Sequence, residues 1–100
     1  MARPRLELQT LLEGITDHVY FQAPGADKMQ YPCIKYERDG SDSKYADNSK
    51  YVHHKRYQVT VIDRNPDSVL SDSVEELEFS AFERFFPQDG LNHWVFTLFF

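Results

Sequence analysis

The sequence predicts a single small α+β domain, residues 1–100, with the element order α-β-β-β-α-β-β. Three observations predict it. Apolar residues recur at helical spacing near the start of the chain and again after Pro66. Lys55-Arg56-Tyr57-Gln58-Val59-Thr60-Val61-Ile62-Asp63 and the segment from Phe79 onward are rich in β-branched and aromatic residues, the composition of strands. Asn65-Pro66 and Pro87-Gln88-Asp89-Gly90 punctuate those runs.

Pro4 suits the first turn of a helix reaching about Gly14, with Leu8, Leu11, Leu12 and Ile15 as its apolar stripe and Gly14 as its stop. His18-Val19-Tyr20-Phe21-Gln22 reads as a short strand closed by the turn-prone 23–27 segment. A second strand over about Cys33–Arg38 alternates Ile34 and Tyr36 against Cys33, Lys35 and Glu37, and the two suggest an antiparallel pair. Residues 39–51 then form a long polar loop in which Ser-Lys-Tyr occurs twice. A loop of this length is either a solvated hairpin extension or a contact surface, and Tyr45 and Tyr51 favour contact, because a tyrosine gains little in isolation.

The long strand follows from about Val52 to Asp63 and is the expected scaffold of the sheet. Asn65-Pro66-Asp67-Ser68 and the capping-box spacing Asp72-Ser73-Val74-Glu75 predict one or two helical turns to about Leu77, with Leu70, Val74 and Leu77 on one face. Phe79–Phe86 and Leu91–Phe100 complete the strands, joined by the turn at 87–90. The last strand is apolar on both faces, with Trp94, Phe96, Leu98 and Phe100 on one and Val95 and Phe99 on the other. Such a strand needs cover on both sides, from helices above and below or from a neighbouring subunit.

Composition narrows the function. One cysteine, Cys33, excludes an internal disulfide, and the run Trp94–Phe100 is too short to span a bilayer, so a soluble intracellular protein with no membrane partner is expected. Residues 1–55 balance eight acidic against eight basic side chains, whereas residues 56–100 carry eight acidic side chains against Arg56, Arg64 and Arg84. That bias disfavours gripping phosphates.

No catalytic constellation emerges. His53 and His54 are adjacent in a strand and point to opposite faces, so they do not both bind one ion from regular β geometry; a metal-dependent hydrolase that combines His53 or His54 with His18 or His93 is the alternative that the chemistry leaves. Pro66-Asp67 matches the start of a metal-dependent nuclease signature, but no lysine follows Lys55 to complete it. Cys33 has no histidine at a telling spacing, and the four glycines are scattered at turns rather than gathered in a phosphate loop. Neither a cofactor nor a resident metal is expected.

Tyr31-Pro32-Cys33-Ile34-Lys35-Tyr36-Glu37-Arg38, the polar Ala46-Asp47-Asn48 loop, Lys55 to Asp63 with Asn65-Pro66-Asp67-Ser68, and Leu91-Asn92-His93-Trp94-Val95-Phe96-Thr97-Leu98-Phe99-Phe100 together resemble the tail terminator and tail-completion (neck) proteins of long-tailed bacteriophages and their prophages. The resemblance spans about residues 29–100. It implies a mostly antiparallel sheet flanked by helices, assembled as a homo-oligomeric ring, usually a hexamer, from chains that can be monomeric in solution. Such a ring caps the tail tube protein, meets the head connector or head-completion protein, and is a virion component assembled in the bacterial host cytoplasm. The expected interface residues are Tyr45, Tyr51, Trp94, Phe96 and Phe100. Asp67, Asp72, Glu75, Glu76 and Glu78 are expected to face the lumen, through which DNA passes without specific binding. Another neck or head-joining minor structural protein is the alternative within the same class.

Overall fold

The computed structural model describes residues 4–22, 29–46, 49–77 and 80–100, with the backbone alone for 40–46 and 49–54. The order is α1 (Arg5–Glu13), β1 (Val19–Phe21), β2 (Cys33–Ala46), β3 (Ser49–Asp63), α2 (Val69–Glu75), β4 (Ser80–Gln88) and β5 (Leu91–Phe99). The five strands form one sheet in the spatial order β1-β2-β3-β5-β4. This is the expected α+β order with a mostly antiparallel sheet.

Local chemistry explains where each helix begins and ends. Pro4 occupies the N-cap of α1, and the Gly14 N–H returns to the carbonyls of Thr10 and Leu11 to close it. Leu8 and Leu12, four residues apart, are fully buried. Leu11, expected on the same stripe, is 43% exposed because its position turns it past the edge of the contact face. Ser68 caps α2, its hydroxyl oxygen accepting from the Leu70 N–H at 3.2 Å. The capping-box spacing at Asp72–Glu75 therefore lies inside a helix that has already started. Upstream, the Asn65 N–H donates to Asp63 Oδ1 at 2.9 Å and the Asp67 N–H to Asn65 Oδ1 at 3.0 Å, so these residues make side-chain-supported turns rather than helix.

Both helices lie on one face of the sheet. Leu8 and Leu12 of α1 and Val74 of α2 join Ile34, Tyr36, Tyr57, Val59, Val61, Phe96, Leu98 and Phe100 in one core, with Leu70, Leu77 and Trp94 packed against it. A polar pin adds orientation: Arg5 donates to the Tyr36 hydroxyl at 3.0 Å and sits 4.3 Å from the Phe21 ring centre, and the Tyr36 hydroxyl donates to Gln9. Because β3 and β4 flank β5 and both run antiparallel to it, α2 is the crossover of a split βαβ unit.

Four expectations need correction. The strand β1 pairs with β2 in parallel, Val19 opposite Ile34 and Phe21 opposite Tyr36, a direction that a tight turn between the two cannot give. Within the segment 39–51, read as a polar loop or a hairpin extension, the described residues 40–46 and 49–51 are paired strand: Gly40 pairs with Arg56, Asp42 with His54, Ser43 with His53 and Ala46 with Ser49. Its polar composition goes with a two-stranded ladder and not with absence of strand. The turn expected at 87–90 is shorter, since Pro87 and Gln88 belong to β4 and the reversal is made by Asp89 (φ 55°) and Gly90 (φ 76°), a two-residue turn in the left-handed region. Pro87 is tolerated because β4 is an edge strand. Finally, among the described residues no helix covers the reverse face of β5, where only Val95 is buried, together with Cys33, Thr60 and Ile62 of the neighbouring strands.

The hairpin sets the shape. Only Arg56–Asp63 of β3 pairs with β5, so the ladder beyond Arg56 is two-stranded and projects as an arm of about 25 Å at about 3.3 Å per residue. The molecule accordingly measures 50 × 23 × 22 Å.

Candidate functional site

The reverse face of the sheet is where the histidine and cysteine chemistry would have to operate. Register places Cys33, Ile62, His93 and Phe86 side by side on successive strands, and His18, just before β1, lies beside Cys33. His18 and His93 are thus three strand spacings apart, about 14 Å, too far to share an ion. His53 and His54 lie on the arm, eight or more residues along β3 from that row, at least about 25 Å away. Their side chains lie outside the described residues, and among the described residues no group of three or more His, Cys, Asp or Glu side chains gathers.

Packing accounts for the two titratable members at its centre. His93 stacks on Phe86 with ring centres 4.7 Å apart and planes 6° apart, and its pKa is lowered by burial and by Lys35, against the opposing pull of the Phe86 and Leu91 backbone. Cys33 is fully buried, and burial pushes its thiol up to about 11, the reverse of what a nucleophile needs. A shallow polar depression of about 320 Å³ opens beside this row, lined by Gln22, Lys35, Glu37, Gln58 and Thr60. It offers hydrogen-bonding groups, with the Lys35 amine and the Glu37 carboxylate among them.

What the molecule does offer is contact surface. On the helix side of β4, Phe82 lies opposite Phe96 with ring centres 5.6 Å apart, and Phe85 opposite Trp94 at 5.3 Å. The inner rings are covered and the outer two are not: Phe82 is 48% and Phe85 45% exposed, at an open sheet edge. Of the expected interface residues, Phe96 and Phe100 are buried inside the protomer and have no surface to give a partner. Their position opposite Val59 and beyond Leu98 puts them in the core that α1 and α2 cover. Trp94 is half-buried beneath Phe85. Tyr45 and Tyr51 lie on the two strands of the arm, with side chains outside the described residues.

Asp67, Asp72, Glu75 and Glu76 are all exposed, on α2 and the turns that flank it, and none forms an ion pair among the described residues. Glu78 lies outside the described residues. Phe82 and Phe85 were the functional candidates that sequence reasoning passed over. Their signal was available in part: a Phe-rich strand closed by Pro87 has the composition of an apolar edge.

No helix among the described residues is long and apolar enough to cross a membrane. No protein-family model, curated protein or solved structure matches this chain.

Proposed function

We propose that this protein is a structural ring component of a bacteriophage or prophage virion, of the tail terminator or tail-completion type, rather than an enzyme. The observation that carries the reading is the combination of a packed core with two open margins. The core closes within one protomer, while among the described residues no further strand joins the arm beyond Arg56 or the aromatic edge of β4. Elements of this kind suit lateral and axial contacts in a homo-oligomeric ring, with the tail tube protein on one side and a head connector on the other. The exposed carboxylates of Asp67, Asp72, Glu75 and Glu76 suit a lumen, where a ring multiplies their charge and keeps passing DNA from adhering. A different neck or head-joining position would use the same features.

The test is the mass of the assembly formed with the tail tube protein. The protein alone and tube protein alone are compared with their mixture by native mass spectrometry and sedimentation. A defined ring bound to tube ends supports the proposal; tight binding of a divalent ion by a chain that never associates with tubes overturns it.

A further inference from the structure

We propose that β4 is a self-recognition edge that pairs antiparallel with β4 of a second copy, about a two-fold axis between Glu83 and Arg84. The case begins with a bulge. Phe82 is opposite Phe96, but Arg84, two residues on, is opposite Val95, only one residue along β5. Glu83 is therefore the extra residue. Strict alternation would send Phe82 and Phe85 to opposite faces, since they are three residues apart. The bulge instead places both on the helix side, against Phe96 and Trp94. It also places Glu83 and Arg84 together on the reverse side: Thr97 Oγ1 donates to Glu83 Oε2 at 3.3 Å, and the Arg84 guanidinium lies 5.7 Å from the Phe86 ring centre.

The order Phe82-Glu83-Arg84-Phe85 consequently reads as its own complement in antiparallel alignment. Phe82 meets Phe85 of the second copy on one face, and Glu83 meets Arg84 of the second copy on the other, each contact occurring twice. Opposite charges and paired aromatics directly across two strands are the favourable cross-strand combinations. All four side chains are exposed in the protomer. The opposite edge of the sheet, β1, is only three residues long and offers no comparable ladder. Bulge and Pro87 interrupt the backbone ladder, so side chains select the partner and the paired stretch stays short. The interface is small, which makes the dimer weak, with dissociation in the micromolar range or above. An isologous contact of this kind closes at two copies, so it is distinct from the head-to-tail contact of a ring, and a free chain paired in this way gives up the pairing wherever a ring uses its β4 edge.

Charge exchange tests the alignment. Sedimentation velocity on the full chain, from micromolar to several hundred micromolar, is run for wild type, E83R, R84E, and an equimolar mixture of the two variants. Wild type is expected to show a reversible monomer–dimer equilibrium. Each variant alone places like charges opposite one another and weakens dimerisation at least about tenfold. In the mixture every position faces an opposite charge, and dimerisation returns to near the wild-type level. Circular dichroism confirms that both variants are folded. A wild-type chain that stays monomeric throughout, or variants whose mixture is no better than either alone, overturns the proposal.

Discussion

The two halves of β3 differ in their surroundings and not in their backbone. From Arg56 to Asp63 the strand is flanked by β2 on one side and β5 on the other, and Tyr57, Val59 and Val61 are buried beneath the helices. From Ser49 to His54 the same strand pairs with β2 alone, and at Lys55 the carbonyl still accepts from the Phe100 N–H at 2.9 Å. A two-stranded ribbon is marginal in water, whereas a strand with neighbours on both sides and a packed face is held by the whole core. One strand thus passes from the most protected part of the protein to its most outlying part. The difference teaches why the arm can be polar: among the described residues no helix or further strand lies on it, so its composition need not alternate between apolar and polar.

The sharpest way to break this comparison is to place a charge in each half. Val59→Asp buries a carboxylate without a partner in the core, a cost of several kcal/mol against a total stability of about 5–15 kcal/mol, and is expected to leave the chain unfolded by circular dichroism. Tyr45→Ser and Tyr51→Ser on the arm are expected to leave the spectrum and melting temperature nearly unchanged while weakening capture by tail tube protein. Unfolding by the arm substitutions, or a folded V59D variant, would show that the division between body and arm is drawn in the wrong place.

A smaller effect concerns the reverse face, where His93 is held neutral. Its folded pKa lies below the ordinary value of 6.5, first through burial and then through Lys35. As the pH falls, the unfolded chain takes up this proton before the folded one does. Stability is therefore complete above about pH 6.5 and declines as the pH drops from there toward the folded value. His93→Gln is expected to flatten that segment of a denaturation-midpoint profile. A profile unchanged by the substitution would mean that His93 is more freely hydrated than its stack on Phe86 implies.

Much of the body was legible in the residues. The strand around Val59, the helix face formed by Leu70, Val74 and Leu77, and the element order all follow from periodicity and caps, which are local signals. The parallel pairing of β1 was not legible, because pairing direction depends on where an irregular connection leads. The arm was read as loop because its composition is that of a solvated segment, and only the partner strand makes it a ladder. That Phe96 and Phe100 are buried within the protomer was not legible for a related reason. A strand apolar on both faces announces that it must be covered, but not by what; the protomer's own helices supply the cover on one face. The exposed pair Phe82 and Phe85 depends on a one-residue bulge, which no periodicity reports.

Native-state hydrogen exchange tests the division of β3 most directly. Amides of Val59 and Val61 are expected to exchange only through global unfolding, whereas those of Val52 to His54 open locally and exchange at least about a hundredfold faster. A gradient that steps down near Arg56 is the predicted result; equal protection along Ser49–Asp63 would contradict the account, since it would mean that the arm is locked into the body.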